Sequence, residues 1–156
     1  MALPPVYARH GLTPERRFAD LRIGERYPLP SRTLTDSHFS AFQTLSLDNH
    51  PIHYDKEYCE ALGHPGVLAH GLQILCFTAA GAGLFPHQIG SSLMGLIEIQ
   101  ARLLKGAFVG DTLYPCLEIT DLKPQRTTGL ATLSATIVNQ RDELVLDGRH
   151  VYLLRL

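Results

Sequence analysis

The segment that most constrains the fold is residues 72–85, the most apolar part of the chain, which contains no charged residue. It is shorter than the ~20 apolar residues that a membrane-spanning helix needs. It therefore predicts a helix that is buried on nearly all sides. We interpret Gly81 and Gly83 as points of close packing, and we expect Pro86 to end the helix. Such a helix must be wrapped by the rest of the chain.

Four segments after this helix are rich in β-branched residues or alternate in part between apolar and polar residues. They are residues 93–104, 112–122, 128–140 and 144–156, the last as one strand or two, with Gly148 as a candidate bulge. An extended segment at residues 31–34 precedes the helices. This order predicts an α+β fold, with a curved antiparallel sheet wrapped around a long central apolar helix.

The length of 156 residues is typical of a single domain. Residues 1–20 contain three prolines and few large apolar residues, so we expect a loosely held N-terminal arm followed by a domain over residues 21–156. Two short helices are predicted before the central one. The first starts at a Thr35 or Asp36 cap and ends just before Asp48, and the second starts at the N-cap residue Asp55.

Composition excludes several classes of function. The net charge is -1 and no basic run is present, which argues against nucleic-acid binding. The N-terminus has no basic region leading into an apolar stretch, so a secretory signal is not expected. The three cysteines form no metal or redox motif and are expected to be reduced thiols. Together these features predict a cytoplasmic protein without a membrane segment.

A carboxylate and an imidazole, Asp48 and His53, lie five positions apart across the turn around Pro51. Proline fixes its own φ and disfavours the helical region for the residue before it, so this segment is a bend. A bend can bring both side chains to one side of the backbone, and Asp and His are common general acid–base residues. About one helix later, Gly71 opens the central helix with amides that lack internal partners and can stabilise an oxyanion.

Asp48, Pro51, Ile52 and His53, followed by Ala69-His70-Gly71 at a helix start, resemble the MaoC-like (R)-specific enoyl-CoA hydratases, which have the hotdog fold. The resemblance extends from about Ser31 to the C-terminus. The family pattern is Gly-Asp-x-Asn-Pro-aliphatic-His. This chain departs from the pattern at Leu47, where the family has glycine, and at His50, where it has asparagine.

The resemblance implies a hydro-lyase that adds water to a trans-2-enoyl-CoA, or removes it in reverse, with an acyl-CoA thioester as substrate. Asp48 and His53 would be the catalytic pair, and the Gly71 amide would bind the thioester oxygen. The family also implies a homodimer or a multiple of it. No organic cofactor is required, because the acid–base pair and the amide supply the chemistry.

Several of these polar residues also have purely structural interpretations. Asp48 could serve only as a cap or turn residue. Asn49 and His50 could line the site or hold the bend, and we favour the structural role for His50. We expect His70 to be neutral, as a capping or packed residue that lines the site. A metal site at Asp48, His50 and His53 is disfavoured, because the spacing matches no zinc signature.

Two other functions remain open from the residues. A hotdog thioesterase would use the same fold and substrate, but the central segment offers only Gln73 and Thr78 as polar residues and no carboxylate. A non-catalytic module that binds acyl thioesters is the second alternative, and the departures at Leu47 and His50 leave it open.

Overall fold

The computed structural model describes residues 11–156. Within them, one antiparallel sheet has the strand order β1-β4-β5-β6-β3, and β2 pairs with the start of β4. The strands are β1 Arg26–Pro28, β2 Arg32–Thr33, β3 Leu93–Leu103, β4 Thr112–Pro124, β5 Thr128–Asn139 and β6 Leu144–Arg155. The helices are α1 Asp36–Ser46, α2 Lys56–Ala61, α3 Gly71–Cys76 and α4 Phe85–Ile89. The predicted α+β arrangement is confirmed.

The alternation of side chains explains why the strands form a sheet with one buried face. In β5 every second residue is buried along the whole strand, including Leu133 and Ile137, as expected of a strand with one face on the core. The last segment is one strand rather than two. Gly148 is not a bulge, because it pairs in register with both neighbouring strands. A Cβ there would lie 2.4 Å from the Gln100 carbonyl oxygen, so glycine lets β3 approach.

The prediction of a long central helix over residues 72–85 is wrong in both the length and the burial of the helix. The segment contains α3, a 3-10 turn at Ala80–Ala82, and then α4, in which Pro86 occupies the first turn instead of ending a helix. Glycines weaken a helix, and a Cβ on Gly83 would lie 2.5 Å from Leu29. Leu72 is 68% exposed, so α3 is covered by the sheet on one side only.

The core lies between the sheet and the helical segments, in two clusters. The larger one packs the α4 residues Phe85 and Ile89 against sheet residues that include Tyr27, Leu117, Ile119, Leu133, Tyr152 and Leu154. The smaller one joins α1 and α3 to the other end of the sheet through Phe39, Ile74 and Ile137. Among residues 11–156, no helix is long and apolar enough to cross a membrane.

The expected N-terminal arm is described only from residue 11 onward, and the rest lies outside the described residues. Its described part is attached to the domain, contrary to the loose arrangement expected. Phe18 is buried in the larger core cluster, against Gly129. The Arg16 guanidinium pairs with the Glu25 carboxylate at 2.7 Å.

The residue that caps the C-terminal end of α1 is Leu47, which adopts the left-handed conformation with φ 61° and ψ 15°. This conformation costs a residue with a side chain roughly 1–2 kcal/mol, but it costs glycine little. The strain explains why a glycine suits the position that resembles the family pattern. Asp48 immediately follows, so the strained residue directs the chain into the bend.

We expect Leu47→Gly to raise the free energy of unfolding by about 1 kcal/mol, because it removes the left-handed strain. The melting temperature, followed by circular dichroism, should rise by about 2–4 °C. Leu45→Gly is the matched control, since Leu45 is equally exposed, at 80% against 79%, but lies inside α1. That change should lower stability, and a fall in both variants would contradict the strain at Leu47.

Candidate active site

Asp48 lies on the turn that leaves α1. The Ser46 hydroxyl accepts a hydrogen bond from the Asp48 N–H at 3.2 Å, which ties the turn to the last residue of the helix. The carboxyl side chain is 52% exposed. The end of α1 therefore determines where the carboxylate emerges, as the sequence predicts.

His53 ends a 3-10 turn, Pro51–His53, which follows the bend. Its Nδ1 lies 2.7 Å from the Leu68 carbonyl oxygen. A carbonyl can only accept, so Nδ1–H donates this hydrogen bond. The Nε2 atom of the neutral ring consequently carries a free lone pair. A backbone partner on one ring nitrogen thus fixes which nitrogen can act as a base.

The two predicted catalytic side chains face each other. His53 Nε2 lies 3.9 Å from Asp48 Oδ2, with the imidazole mostly buried and the carboxylate half exposed. This distance is too long for a direct hydrogen bond. A water that lies to one side of the line between the two atoms could hydrogen-bond to both groups.

Burial lowers the pKa of His53 below its ordinary value of 6.5, because a partly desolvated ring is less easily protonated. The nearby His70 and His50 lower the pKa further, while the Leu68 carbonyl and the Asp48 carboxylate raise it. The direction of the shift keeps the imidazole neutral, and hence basic, at neutral pH.

Gly71 is the first residue of α3, so its amide N–H has no acceptor within the helix. It borders two adjoining cavities. One, of about 290 Å³, also has Asp48, His70 and Leu103 in its lining. The other, of about 270 Å³, has His53 and Leu103. The two cavities share Gly71 and Leu103, so Gly71 lies between the cavity that contains Asp48 and the one that contains His53.

His70 lines the site, as predicted. It occupies the N-cap position of α3 without making a side-chain capping bond, so the capping alternative is wrong. The residue is packed, being only 1% exposed. Its ring stacks on the His53 ring with the centroids 3.7 Å apart and the planes at 22°.

The other two polar residues of the bend differ in their contacts. His50 Nδ1 accepts a hydrogen bond from the Ile52 N–H at 3.3 Å and so caps the 3-10 turn, which agrees with its predicted structural role. Asn49 is exposed, and its side chain makes no hydrogen bond to another residue among residues 11–156.

Asp48, His53 and His70 each offer a donor atom within 4.8 Å of the others, which raises the question of a metal site. The geometry does not favour one. Stacked imidazoles direct their ring lone pairs side by side, whereas a tetrahedral zinc needs ligands that converge. In addition, His70 Nε2 already bonds the Asp48 carbonyl at 3.0 Å. The expectation that no metal is needed stays a prediction.

Two contributors to the site were missed in the sequence. One is the Leu68 carbonyl, whose position depends on the isolated β-bridge between Leu68 and Phe108 and has no local signature. The other is Leu103, whose side chain would contact a Cβ on Gly71. The period-two alternation of β3 could have placed Leu103 on the same face as Ala101, which also lines the first cavity.

Comparison with known proteins agrees with this geometry. The chain is 24% identical over 126 residues to the mitochondrial 3-hydroxyacyl-[acyl-carrier-protein] dehydratase FERN of Solanum lycopersicum, covering 80% of this chain and 72% of the relative. It is 24% identical over 135 residues to the (R)-specific enoyl-CoA hydratase of Rhodospirillum rubrum, covering 84% and 86%. These relatives are hydratases or dehydratases.

A conserved hypothetical protein of Mycobacterium tuberculosis, described as a double hotdog fold, superposes with a TM-score of 0.74 and 30% identity over 90% of this chain and 44% of that protein. The predicted hotdog fold is therefore confirmed, here as a single copy. Residues 19–140, which include Asp48, His53 and Gly71, match the family described as MaoC like domain. The chain belongs to the MaoC-like domain family.

Proposed function

We propose that the protein hydrates a trans-2-enoyl-CoA, or catalyses the reverse dehydration. The observation that carries the proposal is the placement of the free His53 Nε2 opposite the Asp48 carboxylate, 3.9 Å away. Gly71 lines both the cavity that contains Asp48 and the cavity that contains His53. Kinship with an (R)-specific enoyl-CoA hydratase supports the same reaction.

In this mechanism Asp48 and His53 jointly hold one water. As the water oxygen bonds to C3 of the substrate, one of the pair takes a proton from it, and a proton is delivered to C2. The carbonyl oxygen gains negative charge while C2 is still unprotonated, and the Gly71 N–H stabilises it. General acid–base catalysis is worth about 10²–10⁴ in rate, and an oxyanion donor about 10²–10³. The proposal therefore requires no organic cofactor.

A further cavity supports an acyl substrate. Its volume is about 470 Å³, and it borders the catalytic cavity at Leu75. Most of its lining is apolar, from residues such as Leu96, Ile99 and Pro86. An aliphatic tail that enters past Leu75 would be removed from water, which is favourable in proportion to the apolar area buried.

One assay separates this proposal from its alternatives. The protein is incubated with crotonyl-CoA, and both the enoyl absorbance and free thiol are followed, before and after exhaustive chelation. Loss of absorbance without thiol, unchanged by chelation, supports the proposal. Thiol release would indicate a thioesterase, and activity restored only by zinc would overturn the acid–base assignment. If neither signal changes with crotonyl-CoA or with longer enoyl-CoAs, the binding module gains support.

The structure gives the thioesterase little support. Gln73 is buried, and the Thr78 hydroxyl donates a hydrogen bond to the Leu75 carbonyl at 2.7 Å. Neither is a carboxylate. Within α3 the polar side chains are Gln73 and the thiol of Cys76, and Thr78 follows the helix.

We expect kcat/KM to fall as the pH drops below the pKa of His53, because only the neutral ring can accept a proton from water. Burial lowers this pKa, so the acidic limb should lie below pH 6.5, the ordinary value for histidine. A pH profile of kcat/KM between about 5 and 8 measures it. An acidic limb above the ordinary histidine value would contradict the assignment of His53.

We also propose a homodimer with the active site near its interface. Among the described residues, β3 pairs only with β6, so its other side is a free edge. Leu96, Ile97, Ile99 and Leu103 on this strand are large, apolar and about half exposed. Long apolar edges are normally covered. Sedimentation equilibrium should give twice the chain mass of 17.3 kDa or a multiple of it, and an active monomer would refute this.

A further inference from the structure

His70 contacts both members of the proposed catalytic pair and immediately precedes Gly71. Its Nε2 lies 3.0 Å from the Asp48 carbonyl oxygen, and its ring stacks on that of His53 at 3.7 Å. On another side, the Phe42 ring of α1 lies 4.9 Å away and tilted by 53°. His70 is therefore clamped between α1 and the bend that carries His53.

The hydrogen bond fixes the tautomer of His70. The Asp48 carbonyl can only accept, so Nε2–H donates, and Nδ1 of the neutral ring is left as an acceptor. This Nδ1 is buried and has no hydrogen-bond partner among residues 11–156. A buried acceptor without a partner destabilises a protein. If this ring served only for packing, a phenylalanine at position 70 would therefore do at least as well.

We propose that His70 is a positioning residue, which sets the separation between the Asp48 backbone and the His53 ring so that the pair can hold one water. This inference rests on the proposed function of the pair. Through Nε2–H, His70 holds the bend at Asp48. Through its ring face, it covers His53, and its presence lowers the pKa of His53.

The groups that face His53 are few within the described residues. They are Asp48 after α1, His50 in the same bend and His70 at the start of α3. Lys105 lines the cavity beside His53, but its ammonium pairs with the Glu143 carboxylate at 2.8 Å. Changing His70 thus removes one of two histidines that oppose protonation of His53 and leaves the other groups in place.

The test uses two variants of the full chain. His70→Phe keeps an aromatic ring and removes the donor, whereas His70→Gln keeps a donor and removes the ring. We expect His70→Phe to melt no lower than the parent while its kcat/KM for the best enoyl-CoA falls about 10-fold or more, the scale that misplacement of reacting groups produces. His70→Gln should recover part of the loss. In both variants the acidic limb of the pH profile should move to higher pH.

Phe39→Leu is the matched control, because Phe39 is buried and packs edge-on to His70, and its apolar side chain cannot hydrogen-bond to either member of the pair. Phe39→Leu should lower the melting temperature and leave both kcat/KM and the pH profile unchanged. If the His70 variants behave like this control, His70 only packs and the proposal is overturned.

NMR titration of the His53 ring distinguishes failure of the positioning role of His70 from failure of the proposed hydratase function. A raised His53 pKa in both His70 variants supports the coupling even if no enoyl-CoA is turned over, and an unchanged pKa refutes it.

Discussion

Asp48→Asn is expected to lower turnover of an enoyl-CoA by about 10² or more, the usual range for loss of general acid–base catalysis. The amide keeps the shape of the carboxylate and can still accept the hydrogen bond from the His50 N–H, which lies 3.5 Å from Oδ1. It carries no negative charge, so it cannot act jointly with His53 in taking a proton from the water that the pair holds. His53→Ala should have a similar effect, because it removes the free Nε2. Turnover is measured on variants whose thermal melting is unchanged.

The matched control is His50→Asn, which introduces the residue of the family pattern. His50 caps the 3-10 turn through its ring nitrogen, and an asparagine side chain can replace that acceptor. Most activity should therefore remain. If His50→Asn abolishes turnover while His53→Ala does not, the wrong histidine has been assigned.

Gly71→Pro is expected to lower kcat by about 10²–10³, the typical effect of losing one oxyanion donor. Proline removes the N–H that the mechanism requires and suits the first position of a helix. The preceding His70, with φ −62° and ψ 136°, already has the extended conformation that a following proline favours. The backbone at this position can thus accept proline without a change in its path.

Gly71→Ala separates the missing amide from the added side chain. A Cβ at this position would lie 2.4 Å from the Leu103 Cδ1, the flexible end of a side chain, so both variants displace the same atom. Alanine keeps the N–H, and its kcat should stay well above that of the proline variant. Equal losses in the two variants would show that contact with Leu103, not the amide, limits the reaction. Full activity in a folded Gly71→Pro protein would refute the oxyanion role.

The parts of the fold that follow local rules were predictable from the sequence. The four long strands appear where alternation and β-branched residues predict them, although β4 continues to Pro124. The first two helices begin as predicted, with Thr35 and Asp55 as N-caps. Pro51 forces a bend between Asp48 and His53 whatever the rest of the chain does. In each case the determining interactions are close in sequence.

The parts that depend on tertiary contacts were not predictable. The break between α3 and α4 contains Gly83, which packs closely against Leu29. The apolar run alone does not show this contact, and it therefore suggested one long helix. The tautomer of His53 depends on the Leu68 carbonyl, and Leu68 is held by its bridge with Phe108 and by the hydrogen bond from its N–H to the Ile52 carbonyl at 3.1 Å. The stacking of His70 on His53 likewise joins residues on two different elements.

The bridge between Leu68 and Phe108 also bears on how easily the segment that carries the site residues opens locally. Asp48, His53 and Gly71 all come from one contiguous stretch, whereas the sheet is held by ladders between β3, β4, β5 and β6. This stretch joins the rest of the backbone near the site through few hydrogen bonds, such as that from the Ala69 N–H to the Ala107 carbonyl at 2.8 Å. Segments tied in this way open at lower free energy than central strands. We therefore expect local opening of this stretch, while the sheet remains folded, to set the working lifetime of the protein.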